Sequence, residues 1–176
     1  MKKTIVLSIL SFAFSIHMEA QSSAEKHISK VQSLDTTLST LYDVISGEKG
    51  QERDWELFKY LFHPEAKLIP TGKNKEGLHT SRYMTPDDYI ASSGKWLVEN
   101  GFFEKEIHRS VNTFGNITQV FSTYESFKSE SDTAPFMRGI NSIQLLNDGK
   151  RWWVINIYWM QESENNPIPV AYLPKN

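Results

Sequence analysis

The stretch Pro135–Glu162, PFMRGINSIQLLNDGKRWWVINIYWMQE, constrains this chain more than any other. Two runs rich in β-branched and aromatic residues flank Asn147-Asp148-Gly149, which predicts an antiparallel hairpin. A three-residue loop with Gly in the left-handed position sets Leu146 opposite Lys150 and Ile143 opposite Trp153. The same register puts Asn141 opposite Ile155 and Gly139 opposite Ile157. Side chains alternate along a strand, so Gly139, Asn141, Ile143, Leu145, Trp153, Ile155, Ile157 and Trp159 share one face. Arg138, Ile140, Ser142, Gln144, Trp152, Val154, Asn156 and Tyr158 take the other. Both faces carry large apolar groups and both need cover. Helices are expected on one, and a second sheet or another subunit on the other.

The rest of the chain is long enough to supply that cover. Its 176 residues suit one domain with a sizeable core, and no internal repeat is visible. Net charge is −2 and no long basic run exists, which excludes the electrostatic footprint of a nucleic-acid binder. Lys2 and Lys3 precede an apolar run from Ile5 to Ile16, the pattern of a secretory signal with cleavage after Ala20. The run is short for a membrane span. The absence of cysteine excludes disulfides, thiolate metal ligands, a Cys nucleophile and a lipid anchor on an N-terminal Cys. The expected product is an exported protein, periplasmic or secreted, with no integral membrane segment after cleavage.

Four segments follow: a signal at 1–20, a flexible stretch at 21–33, a folded domain at 34–162 and an extended tail at 163–176 docked on it. Val31, Leu34, Leu38, Leu41, Val44 and Ile45 recur at helical spacing. Asp54 is the expected N-cap of a second helix with Phe58, Leu61 and Phe62 inward. Ala66 to Pro70 reads as a strand and Thr71 to Met84 as a loop or ragged hairpin. Thr85-Pro86-Asp87-Asp88 starts a third helix: a capping Thr, Pro at the first position, then carboxylates at the positive end. Two strands follow, Phe102 to Thr113 and Ile117 to Lys128. Helices ahead of long antiparallel strands predict an α+β layer fold.

This order, with DWELFKYLFHPEA at Asp54–Ala66 and RGINSIQLLNDGKRWWV at Arg138–Val154, resembles the nuclear transport factor 2-like superfamily, and its SnoaL-like branch most. The resemblance covers Leu34 to Glu162. It implies a cone in which three helices pack on a strongly curved, mainly antiparallel sheet and enclose a pocket. Members include ketosteroid isomerases, cyclases, dehydratases and binding domains, so the fold leaves the function open. The resemblance also implies an acidic residue or a His–Asp pair inside the cone. No carboxylate of this chain aligns with that position, and the isomerase pairing of a strand Asp with a buried Tyr is not matched.

Candidate site residues follow from the hairpin register. Trp153 and Trp159, with Trp96 of the third helix, form the expected pocket wall. Asn141 is the single amide on that face, and either satisfies nearby backbone or donates to a ligand carbonyl. His108 and Glu106 share strand parity, so His108 beside Glu106 is a candidate general base; a solvent-facing charged strand is the plainer reading. Tyr124 is either an oxyanion donor or a core aromatic. Arg82, in the loop near the expected cone mouth, is a candidate partner for an anionic ligand group. No HExxH, nucleophile elbow or phosphate loop is present, so no metal or other cofactor is expected.

Three functions fit. The first is binding of a small, mainly apolar ligand in the cone. The second is cofactor-independent isomerase, dehydratase or cyclase chemistry with His108 as base. The third is a homodimer made by the outer face of Ile140, Trp152, Val154 and Tyr158.

Overall fold

The computed structural model describes residues 26–175, and the expected signal sequence lies outside them. Helices α1 (Leu34–Asp43) and α2 (Trp55–Leu61) precede strands β1 (Phe62–Lys73) and β2 (His79–Ser81). Helices α3 (Pro86–Tyr89) and α4 (Lys95–Asn100) run on through a π-helical turn at Ile90–Gly94. Strands β3 (Phe103–Phe114), β4 (Ile117–Phe127), β5 (Met137–Asn147) and β6 (Trp152–Gln161) follow, with short 3-10 turns at Ile28–Lys30 and Val170–Tyr172. The six strands form one sheet in the order β2-β1-β6-β5-β4-β3. Only the β1–β6 pair is parallel, so the sheet is mixed but mainly antiparallel. Helices pack on one face of this curved sheet, giving an α+β cone.

Local chemistry explains where the helices begin. Ser33 caps α1: its Oγ accepts from Thr36 N at 3.1 Å, and Thr36 Oγ1 accepts from Ser33 N at 3.2 Å. Val31 therefore lies ahead of the helix. It is fully buried, and its carbonyl accepts from Trp152 N at 2.8 Å, so the described part of segment 21–33 is tied to the sheet. Asp54 caps α2 through Leu57 N (2.9 Å). Thr85 and Asp88 form a reciprocal box at the start of α3. Leu38, Leu41, Phe58 and Leu61 from the helices meet Leu68, Val120, Ile143 and Val154 of the sheet in one core.

The hairpin exists, but its register differs from the sequence expectation in two ways. The connection is four residues, Asp148–Arg151, and together with a bulge further along β6 it brings Asn141 opposite Trp159 and Ile143 opposite Ile157. Asn147 Oδ1 accepts from Gly149 N, and Asp148 Oδ1 accepts from Lys150 N and Arg151 N, all at 2.8 Å. Those side-chain bonds hold a wider tip than a simple Gly turn. Then Ile155 is left over as a bulge between the Gln144–Asn156 and Leu145–Val154 pairs. One extra residue flips every side chain beyond it. Trp152 and Val154 accordingly face the helices, and Trp153 faces outward.

The outer face is changed by the same flip. Of the apolar set expected to make a dimer, Val154 is in the core and Trp152 packs against it. Ile140 and Tyr158 remain outside, where they line a hollow shared with Ile168, Pro169 and Tyr172 of the tail. Glu162 pins that tail by accepting from Ile168 N at 2.9 Å while pairing with Arg138 at 2.7 Å. Thr123 Oγ1 donates to the Tyr172 carbonyl at 2.6 Å, and the Tyr172 ring meets Phe121 edge-on.

Candidate functional site

Between the helices and the concave sheet face lies a cavity of about 230 Å³. Its wall is mostly apolar and aromatic: Leu41 from α1 and Ile45 just beyond its end, Phe58 from α2, Tyr89, Trp96 and Leu97 from the third helical segment. The sheet supplies Glu104, Tyr124, Asn141, Ile157 and Trp159. The π turn lies where this helix borders the cavity, a distortion that commonly marks functional sites. Gly94 within it lets Trp55 approach; a Cβ there would lie 3.1 Å from the indole.

Four elements converge on one polar cluster in that wall. Asn141 Nδ2 donates to the Tyr42 hydroxyl at 3.2 Å and to Glu104 Oε1 at 3.3 Å. Tyr42 in turn shares a 2.6 Å hydrogen bond with Ser122 Oγ. Ser126 Oγ donates to Glu104 Oε2 at 3.2 Å. No cationic side chain lines the cavity among the described residues. Burial therefore dominates the Glu104 carboxyl and pushes its pKa up to about 7, with the bonds from Asn141 and Ser126 opposing. Burial also raises the Tyr42, Tyr89 and Tyr124 phenols, and the Glu104 charge raises each further.

The sequence candidates divide sharply. Asn141, Trp96, Trp159 and Tyr124 all line the cavity. Tyr124 is 1% exposed and crosses over Gly139, where a Cβ would come within 2.5 Å of its hydroxyl. Trp153 does not line it. Its indole donates to Asp148 Oδ2 at 2.7 Å on the outer side, under the Arg151 guanidinium. Nor does His108: Ile107 is an extra residue between the Glu106–Tyr124 and His108–Thr123 pairs. That bulge turns His108 to the face of Thr123, away from Glu106. Glu106 keeps the concave parity but borders a side groove with Asp43, in an ion pair with Arg109 (2.7 Å) that lacks hydrogen-bond geometry. Arg82 is exposed and borders no part of the cavity.

Sequence reasoning missed Glu104 and Arg53. Glu104 lies two residues before Glu106, so the parity that turned Glu106 inward applied to it as well. Arg53 is buried, and donates to the carbonyls of Gly47 (2.7 Å), Ile45 (2.9 Å), Leu97 (3.1 Å) and Gln51. It joins the ends of α1 and α4, both of which contribute to the cavity wall. No sequence signal distinguishes it from a surface arginine. As for metals, the donor atoms of His27, Asp54 and Glu56 lie within 4.8 Å of one another, but none borders the cavity. Asp54 already caps α2, and Glu56 lies 3.9 Å from Lys26.

No family model matches the chain, and no curated protein matches it. Solved structures do. A nuclear transport factor 2-like protein of unknown function from Silicibacter pomeroyi is 18% identical, with a TM-score of 0.51 over 79% of this chain and 98% of that one. A protein with a cystatin-like fold from Nostoc punctiforme is 9% identical, with a TM-score of 0.54 over 73% and 87%. A putative calcium/calmodulin-dependent protein kinase II association domain from Xanthomonas campestris is 12% identical, with a TM-score of 0.54 over 74% and 86%. The chain has the nuclear transport factor 2-like fold.

Proposed function

We propose that this protein binds a small, mainly apolar organic molecule in its cone cavity, with the molecule's polar group against Glu104, Asn141 and Tyr42. The observation that carries this reading is an aromatic cavity with one hydrogen-bonded polar cluster in its wall. Such a balance is usual for small-molecule sites. At about 230 Å³ the space is below the roughly 300–1,000 Å³ of drug-sized sites, which favours a ligand of about one or two rings. Filling the cavity tests the reading. Benzyl alcohol should raise the melting temperature of the natural protein and not that of Ser93→Phe, which places a ring at the lining position of Ser93. Equal shifts in both proteins would reject it.

A second reading is favoured by the Glu104 carboxyl, whose pKa of about 7 suits proton transfer at neutral pH. In this version Glu104, rather than His108, is the base of a cofactor-independent isomerase or dehydratase. Deuterium exchange at the α-carbon of cyclohexanone, followed by NMR, tests it. Exchange no faster with the natural protein than with Glu104→Gln would remove the enzyme reading and leave the binding one. The proposal extends to a SnoaL-like protein working outside the cytoplasm once Met1–Ala20 is removed. Intact mass of exported material would show an N-terminus near Gln21, and retention of Met1 would count against it.

A further inference from the structure

Among the described residues, Glu104 is an acid without a counterion. Tyr42 from α1, Tyr89 from α3, Ser126 and Tyr124 from β4, and Asn141 from β5 surround it, and Glu106 is its neighbour along β3. All of these are neutral or negative. Arg109, further along β3, is engaged with Glu106 and with Asp35, each at 2.7 Å. A buried carboxylate ordinarily has a partner cation or gives up its charge. Here no described residue supplies the partner.

The rest of the wall matches such a charge from the opposite direction. Seven aromatic side chains line the cavity, Tyr89, Trp96 and Trp159 among them. Aromatic faces attract cations, and most strongly where water is excluded. An anionic ligand would meet Glu104 with no positive side chain to offset it. A neutral ligand would leave the carboxyl to protonate. An organic cation satisfies the carboxylate and the ring faces together.

We propose that the ligand of this cavity is a small organic amine bound as its cation, with the ammonium against Glu104 and the apolar body against the aromatic wall. The inference rests on the cavity being a ligand site and names the class of ligand it takes. No covalent step is involved. Where Glu104 is protonated beforehand, binding releases its proton to solvent. Affinity for the amine therefore rises with pH up to the range where Glu104 is ionised, and levels off above it.

The test uses matched probes of one shape and three charges: benzylamine, benzyl alcohol and benzoate, with the naphthylmethylamine, naphthylmethanol and naphthoate set as a larger body. Binding is read by calorimetry and by fluorescence of the wall tryptophans between pH 5 and pH 8. At pH 8 the amine should bind at least tenfold more tightly than the alcohol, and benzoate weakest of the three. The amine's advantage should shrink as pH falls to 5. Glu104→Gln should bring the amine-to-alcohol ratio to near one at every pH, with its melting curve confirming a folded protein. Alcohol binding equal to or tighter than amine binding would overturn the amine assignment while leaving the cavity as a ligand site. An amine preference that survives Glu104→Gln would also overturn it. Binding of no probe in either size set would remove both the assignment and the site reading.

Discussion

Asn141 donates to Glu104 across the concave sheet at 3.3 Å, and its other amide hydrogen goes to Tyr42 at 3.2 Å. Its side-chain donors are thus both engaged within the fold. Replacing it with Leu keeps much of the volume but leaves a buried carboxyl and a phenol short of partners. Asn141→Leu should therefore lose on the order of 1–3 kcal/mol of stability with no ligand added. Urea denaturation at pH 7 checks this. Unchanged stability would mean that the amide serves only a ligand.

The Glu104 carboxyl sets a pH signature. Its folded pKa, about 7, lies above the ordinary value of 4.5. A raised pKa means that the folded state favours the protonated form. The associated stability is fully present below pH 4.5 and is lost as pH rises through about 7. Each unit of difference corresponds to about 1.4 kcal/mol, so the loss is on the order of 3–4 kcal/mol. Glu104→Gln should be more stable than the natural protein at pH 8, with the difference closing towards pH 4.5. Melting curves across that range measure it, and parallel curves would contradict the burial of the carboxyl.

Gly139 permits Tyr124 to lie across β5. A Cβ at residue 139 would come within 2.5 Å of both the Tyr124 hydroxyl and the Met160 carbonyl oxygen. Gly139→Ala should destabilise by about 1–3 kcal/mol, the usual range for overpacking. Combining it with Tyr124→Leu should recover part of that loss, as a double-mutant cycle would show.

Arg53 satisfies carbonyls at the ends of two helices that border the cavity. Arg53→Met keeps an unbranched apolar stem and removes every donor. The orphaned carbonyls should cost about 2–4 kcal/mol in urea denaturation. Hydrogen exchange should also quicken at the amides around Gly47 and Leu97.

Much of this fold was legible because its signals are local. Ser, Thr and Asp caps act within one helical turn, so Asp54 and Thr85 announced their helices directly. The inward position of Asn141 and Trp159 was legible as well. The wider tip and the Ile155 bulge together shifted the pairing of that half by an even number of residues, which leaves parity unchanged. What escaped were the two bulges, at Ile107 and Ile155. Neither carries a glycine or proline, and each is set by how two strands meet rather than by its own sequence. Those single residues turned His108 and Trp153 outward and Trp152 and Val154 inward. Glu104 was legible in principle by its parity with Glu106, but EKEIHR reads first as a solvated strand. Its isolation inside an aromatic cavity emerges only when strands and helices distant in sequence are assembled.

The central claim is that the cone cavity is where a small molecule sits. Nitrogen-15 spectra of the protein titrated with benzyl alcohol at pH 7 test it most directly, because five indoles and one amide report from known places. The account predicts shifts of the Asn141 side-chain amide and the Trp96 and Trp159 indoles, with the outward Trp153 indole unmoved. Shifts centred on Trp153, Tyr158 and the C-terminal tail, with Asn141 and Trp159 silent, would contradict it.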